Sequence, residues 1–239
     1  MTNAAQEASA TRGVAHGIEE REVRIPPMDL AGDLRIPEDA AAVVVFAHGS
    51  GSSRLSPRNR AVAEALNRCG IATLLFDLLT VAEESDRANV FDIPLLAERL
   101  VAAVRWLDRE PGVGGLPLGL FGASTGAAAA LVAAAELGER VGAVVSRGGR
   151  PDLAGGALDR IVTPTLLIVG GTDVPVIELN QQALAHLRGP KALEIVPGAS
   201  HLFSERGALE SVIGHAAAWL ARHLGSTTAR PSRVTRSKQ

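Results

Sequence analysis

At 239 residues the chain falls in the range of one α/β domain with a sizeable buried core. A formal net charge of -2, aromatics at 3% and no tyrosine give neither a basic footprint nor the rings for stacking bases, so nucleic acid is not expected as a partner. The single cysteine, Cys69, excludes an internal disulfide, and no secretory leader or spanning apolar run is evident, which sets the expectations of no membrane and a cytoplasmic location.

Residues 1–20 are small and polar and predict a flexible tail containing His16. Residues 21–224 predict a single folded unit, and the basic residues 225–239 a second flexible tail with no assigned function. Two segments, 22–25 and 32–36, are separated by Pro26 and Pro27 and read as an antiparallel hairpin at a sheet edge, where proline is tolerated. Six short apolar runs follow at 41–47, 71–76, 116–121, 142–146, 165–169 and 192–196. Between them lie stretches of helical period at 57–68, 93–109, 125–137, 176–187 and 209–224, with a short turn at 153–160. This alternation is the sequence form of βα units, and it predicts a mostly parallel sheet of about eight strands with helices on both faces. The stretch 85–92 is the least regular part of the interior.

The chemistry concentrates where strands end. Gly122-Ala123-Ser124-Thr125-Gly126 follows one strand and opens an alanine-rich helix, the setting in which a G-x-S-x-G serine stands on a strained strand-to-helix turn. A serine hydroxyl needs a base to take its proton and a further group to hold that base in the right tautomer. Downstream, Gly170-Gly171-Thr172-Asp173 and Pro197-Gly198-Ala199-Ser200-His201 each follow a strand, placing an acid and then a histidine at the carboxyl edge of the sheet. The order Ser124, Asp173, His201 is the order this arrangement requires. Asp173 also fits as a helix cap, His201 as a loop histidine bonded to backbone, and Asp152 as a reserve acid.

An acyl-transfer site also needs donors for an oxyanion. The loop His48-Gly49-Ser50-Gly51-Ser52-Ser53 supplies the Ser50 amide, with Gly51 as the alternative, and Thr125 supplies the second from the elbow. His48 reads as a loop-shaping residue or a substrate contact. Arg147 and Arg150, in the loop Ser146-Arg147-Gly148-Gly149-Arg150-Pro151-Asp152, read either as binders of an anionic substrate group or as partners of Asp152 or Asp77. Glu83 and Glu84 read as solvated loop charges.

Together the His48 loop, the Ser124 elbow, the Asp173 loop and the His201 loop resemble the α/β-hydrolase superfamily, and within it the dienelactone-hydrolase-like branch, over residues 24–224. The segment from Ser146 to Gly155 resembles the hydrolase part that some bacteria fuse to a phosphoribosyltransferase, without the second domain. Dienelactone hydrolases proper carry a cysteine nucleophile, whereas this elbow carries Ser124, so the resemblance implies a general carboxylesterase with an open site and no large lid. The expected substrate is a small ester, thioester or lactone, with no cofactor and no metal, and a homodimer is left open. A catalytically silent binding or scaffold protein on this fold, and an acyltransferase using the same residues, are the competing readings.

Overall fold

The chain was analysed as a computed structural model that describes residues 17–225. Its strands are β1 (Ile18–Ile25), β2 (Leu30–Pro37), β3 (Ala42–Ala47), β4 (Ile71–Phe76), β5 (Leu118–Ala123), β6 (Val141–Arg147), β7 (Thr165–Gly170) and β8 (Lys191–Val196). They form one sheet in the order β1-β2-β4-β3-β5-β6-β7-β8. β1 and β2 are antiparallel to each other, as β2 is to β4, and every other neighbouring pair is parallel. Four long helices connect them, α1 (Pro57–Arg68), α4 (Ile93–Leu107), α5 (Thr125–Leu137) and α6 (Val174–His186), a fifth, α7 (Ala208–Leu224), follows β8, and the short α2 (Val81–Glu84) and α3 (Arg87–Val90) lie between β4 and α4. This is the α/β-hydrolase architecture. Only the 3-10 stretch Pro151–Arg160 separates β6 from β7, so no large lid is inserted there.

The apolar runs look featureless in sequence because they are buried on both sides. In β3, Val43, Val45 and Ala47 face a core layer shared with α4 and α5, while Ala42, Val44 and Phe46 face the layer under α1 and α7. Ala127, Ala128, Ala129 and Ala130 are fully buried at the start of α5, and their small side chains let this helix lie close to the sheet.

Two expectations change. The antiparallel hairpin lies at one edge of the sheet as expected, but only its outer strand β1 is itself the edge; β2 is paired on both sides, and Pro26 and Pro27 sit in the turn between them, where a missing N–H costs no ladder bond. The stretch 85–92 is also more regular than it reads, because local caps organise it. Thr80 Oγ1 accepts the Glu83 N–H at 3.2 Å while Glu83 accepts the Thr80 N–H at 2.9 Å, a capping box that starts α2, and Asp86 caps α3 by accepting the Ala88 N–H at 2.9 Å. The expected N-terminal tail falls mostly outside the described residues, although Ile18 already opens β1, and the C-terminal tail falls outside them after Gly225.

The aromatic pair Phe46–Phe121, with ring centroids 4.9 Å apart, fills the layer beneath α1 and α7 directly behind the strand ends that carry the site. Phe121 is fully buried. Phe121→Ala should lower unfolding stability by about 3–5 kcal/mol; urea unfolding followed by circular dichroism checks it, and a loss below about 1 kcal/mol would contradict this packing.

Candidate active site

The sheet reverses its winding between β3 and β5, which lie side by side with Ala47 opposite Gly122, while β4 continues on the other flank of β3. Loops leaving the carboxyl ends of β3 and β5 therefore diverge and leave a crevice. On one wall stands Ser124, at φ 52° and ψ -122°, a left-handed conformation uncommon for a residue with a side chain. Gly122 and Gly126 make this bend feasible. A Cβ on Gly122 would overlap the backbone of Ala127, and one on Gly126 would overlap the carbonyls of Ala47 and His48. Hydrogen bonds hold the bend: Ser124 N–H donates to the Arg147 carbonyl at 3.3 Å, and the Ser124 carbonyl accepts from Ala127 at 3.1 Å and Arg150 at 3.1 Å.

Asp173 and His201 arrive from β7 and β8 and are brought together. The Thr172 N–H and hydroxyl both donate to the Ala199 carbonyl at 2.9 Å, tying the two loops one residue from the acid. His201 Nδ1 lies 2.7 Å from Asp173 Oδ2. A proton on Nδ1 makes this bond and leaves Nε2 as the basic nitrogen. The Asp173 side chain is only 15% exposed against 39% for His201, so the acid sits behind the imidazole and the ring faces the opening. His201 and Ser124 border the same cavity of about 210 Å³. Asp152, the reserve acid, is held instead by Arg150, whose Nε and Nη2 reach its two oxygens at 2.9 and 2.7 Å.

The loop after β3 differs from the open donor expected of it. The Ser50 N–H does not stand open; it donates to Thr125 Oγ1 at 2.9 Å, a hydroxyl that neighbours the elbow and competes for the donor. The Thr125 N–H belongs to the first turn of α5, whose amides have no intrahelical carbonyl to meet. Gly51, at φ 67°, lines a second cavity of about 90 Å³ with Ser50 and Thr125. His48 is occupied on both sides: Nδ1 lies 3.0 Å from the Gly49 carbonyl, and Nε2 accepts the Leu78 N–H at 3.1 Å. Burial pushes this imidazole below its usual range, which fits a neutral ring locked between two backbone groups.

The two arginines part company. Arg150 is engaged by Asp152, whereas Arg147 is 6% exposed and donates to Asn59 Oδ1 at 3.2 Å. Burial, and secondarily the neighbouring Arg58 charge, lowers the Arg147 guanidinium to about 10. It stays charged at neutral pH, in surroundings that disfavour the charge by roughly 3 kcal/mol. Arg58 and Asn59, which also line the cavity, escaped the sequence reading; the available signal was three arginines, 54, 58 and 60, crowded just after a loop at the site edge. Glu83 is a further correction: besides capping α2 it accepts from the buried Arg99 at 2.8 Å, and those hydrogen bonds hold its carboxyl below the usual range. Among the described residues no His/Cys/Asp/Glu group is arranged to hold a metal ion, and no helix is long and apolar enough to cross a membrane.

An eight-stranded sheet with this crossover pattern and a serine elbow at its switch point defines an α/β-hydrolase. The sequence profile of the dienelactone hydrolase family matches residues 30–224, and the chain belongs to that family. A Mycobacterium tuberculosis H37Rv protein that carries the provisional name phosphoribosyl transferase is 59% identical over 206 residues. The match covers 86% of this chain and 46% of that protein, so the chain spans about half the length of the curated relatives it matches. Among solved structures, a dienelactone hydrolase from Anabaena variabilis is 55% identical with a TM-score of 0.84, covering 87% of this chain and all of that one. An α/β serine hydrolase without a lid from Xanthomonas campestris shares the fold at 24% identity and a TM-score of 0.70, covering 87% and 97% of the two chains.

The His48 environment predicts a pH dependence. A ring that protonates less readily in the fold than in the unfolded chain contributes stability that is present above about 6.5 and is lost as pH falls from there to the lowered value. Unfolding free energies measured between pH 5 and 8 should therefore decline more steeply toward acid in the wild type than in His48→Asn. Parallel slopes for the two would show that the ring titrates freely.

Proposed function

We propose that the chain is a serine esterase that forms an acyl-enzyme on Ser124, with His201 as general base and Asp173 as the group that orients and stabilises it. The observation that carries this reading is the 2.7 Å contact from His201 Nδ1 to Asp173 Oδ2, on a histidine that shares its cavity with Ser124. With Nδ1–H directed at the carboxylate, Nε2 is free to take the Ser124 proton as its oxygen attacks the ester carbonyl. The amide of Thr125, joined by Ser50 or Gly51, stabilises the negative oxygen of the tetrahedral intermediate. For Ser50 this means exchanging the Thr125 hydroxyl for the substrate oxygen. His201 then returns the proton to the leaving alcohol, and water, activated by the same nitrogen, releases the acid.

None of these steps calls on a metal or an organic cofactor, and small esters, thioesters and lactones are the substrates that suit a site without a large lid. The transferase name of the Mycobacterium tuberculosis relatives describes proteins of which this chain matches less than half, and the esterase reading concerns the matched part. An acyltransferase would share every step up to the acyl-enzyme and differ only in what resolves it.

Purified protein should hydrolyse short 4-nitrophenyl esters and be labelled by a fluorophosphonate probe at Ser124. Ser124→Ala should abolish labelling and lower kcat by roughly 10⁵-fold or more, and Asp173→Asn by about 10⁴-fold. Turnover that survives Ser124→Ala would overturn the mechanism, and a folded wild type that neither turns over nor labels would favour a silent binding protein.

A further inference from the structure

Thr125 brings two hydrogen-bonding groups to the neighbourhood of the nucleophile, its backbone amide and its side-chain hydroxyl, and acyl transfer as set out above calls only on the amide. The hydroxyl belongs to a residue that is 4% exposed, and it accepts the Ser50 N–H at 2.9 Å. It also has a proton of its own to place. In a helix interior a threonine can give that proton to the carbonyl three or four residues back. Thr125 is the first residue of α5, and what precedes it is the turned Ser124 and the strand β5. Among the described residues no acceptor meets the Thr125 hydroxyl proton.

The hydroxyl also stands where a reacting carbonyl must arrive. The Gly49–Ser50 backbone passes so near the nucleophile that a Cβ on Gly49 would fall 2.9 Å from Ser124 Cβ and 3.7 Å from Ser124 Oγ. Ser50 borders both cavities of the site, one with Ser124 and His201 and the other with Gly51 and Thr125. The Ser50–Thr125 hydrogen bond therefore lies on the seam between them, beside the carbon that Ser124 would attack. An oxygen turned toward this seam to meet the Thr125 amide is also next to the hydroxyl, which hangs from the same residue.

Two courses are open to Ser50 when a substrate oxygen arrives. If its amide leaves the hydroxyl for the substrate, one bond is broken to make another, and the Thr125 oxygen is stranded without a donor on a buried residue, which costs free energy. If it stays, every bond already present is kept and the unplaced proton gains an acceptor that is becoming negative. The second course is the more favourable. A hydrogen bond to a charged oxygen is roughly twice as strong as one between neutral groups, and a hydroxyl that already accepts a bond is polarised into a better donor.

Resting on the esterase reading above, we propose that the Thr125 hydroxyl is a catalytic group, a further oxyanion donor through which the Ser50 amide acts indirectly. As Ser124 Oγ bonds to the acyl carbon, the carbonyl electron pair moves onto oxygen and the serine proton passes to His201 Nε2. Thr125 keeps its own proton and points it at the new charge, alongside its amide. Because that charge is absent from the bound ester, the hydroxyl speeds the reaction without tightening the hold on substrate.

The test uses 4-nitrophenyl butyrate and a trifluoromethyl alkyl ketone, to which Ser124 adds to give a stable adduct with a negative oxygen. Thr125→Val keeps the branched shape and the amide but sets a methyl group against the Ser50 N–H. It should lower kcat by roughly 10²-fold, with KM within about threefold of wild type. Ki for the ketone should rise by the same factor as kcat/KM falls, a proportionality that a structural role alone would not produce. Thr125→Ser, which retains a hydroxyl, should recover most of both losses. Thr125→Ala separates the two courses, because it leaves room for the Ser50 amide to reach the substrate oxygen directly. A loss of at least about tenfold in kcat is expected for it, whereas an alanine variant that equals or exceeds the wild type would show that the hydroxyl only competes, and would overturn the proposal. A lowered kcat with an unchanged Ki for the ketone would overturn it as well. Should Thr125→Val fail to fold, Thr125→Ala, which extends the alanine run already buried at the start of α5, carries the same measurements. Fluorine NMR of the ketone adduct keeps the two readings apart. A wild type that forms the adduct but hydrolyses no ester would overturn the esterase reading and leave the hydroxyl to be judged by Ki, and a wild type that does neither would overturn both.

Discussion

The site depends on backbone touching backbone where β5 turns into α5. Gly126 lies against the carbonyls of Ala47 and His48, and Gly122 against Ala127, so the β3 loop and the serine elbow are separated by no side-chain layer at all. Such contact is possible only with hydrogen at those two Cα positions. It brings the amides of the β3 loop within reach of Ser124 and presses Ser124 into its left-handed conformation. The rest of the sheet supplies the rigidity that keeps so strained a residue in place.

Around that contact the protein controls charge by what it buries. Burial holds the His48 imidazole below its usual range, and the Gly49 carbonyl and the Leu78 N–H fix its orientation beside the serine elbow. Asp173, sheltered behind His201, places negative charge on the side of the imidazole away from the cavity. Arg147 is the exception, a cation kept in a poor medium beside another cation. Neutral, negative and positive groups thus stand at three separate positions around the serine elbow.

Much of this was legible in the sequence, for reasons that can be named. Strand ends were readable because apolar runs such as Leu166–Val169 stop at glycine, and the elbow because Gly122, Ser124 and Gly126 have a spacing with a steric cause. Asp173 and His201 stood out because each follows a strand in the required order. What escaped was set by contacts between distant segments. No local pattern says that Thr125 takes the Ser50 amide, 75 positions away in sequence, or that Arg147 meets Asn59, 88 positions away. The short helices α2 and α3 were hidden for the opposite reason: their stability comes from caps at Thr80 and Asp86 and from Glu83 reaching Arg99, not from an apolar period.

The brief 3-10 connection between β6 and β7 has a consequence for how such a protein changes its preferences. With no flap inserted between those two strands to fold over a bound molecule, discrimination on that side falls to walls that are already in place when the molecule arrives. Altered selectivity would then come from exchanging single side chains on those walls, independently of one another, and would leave the rates of entry and departure largely untouched.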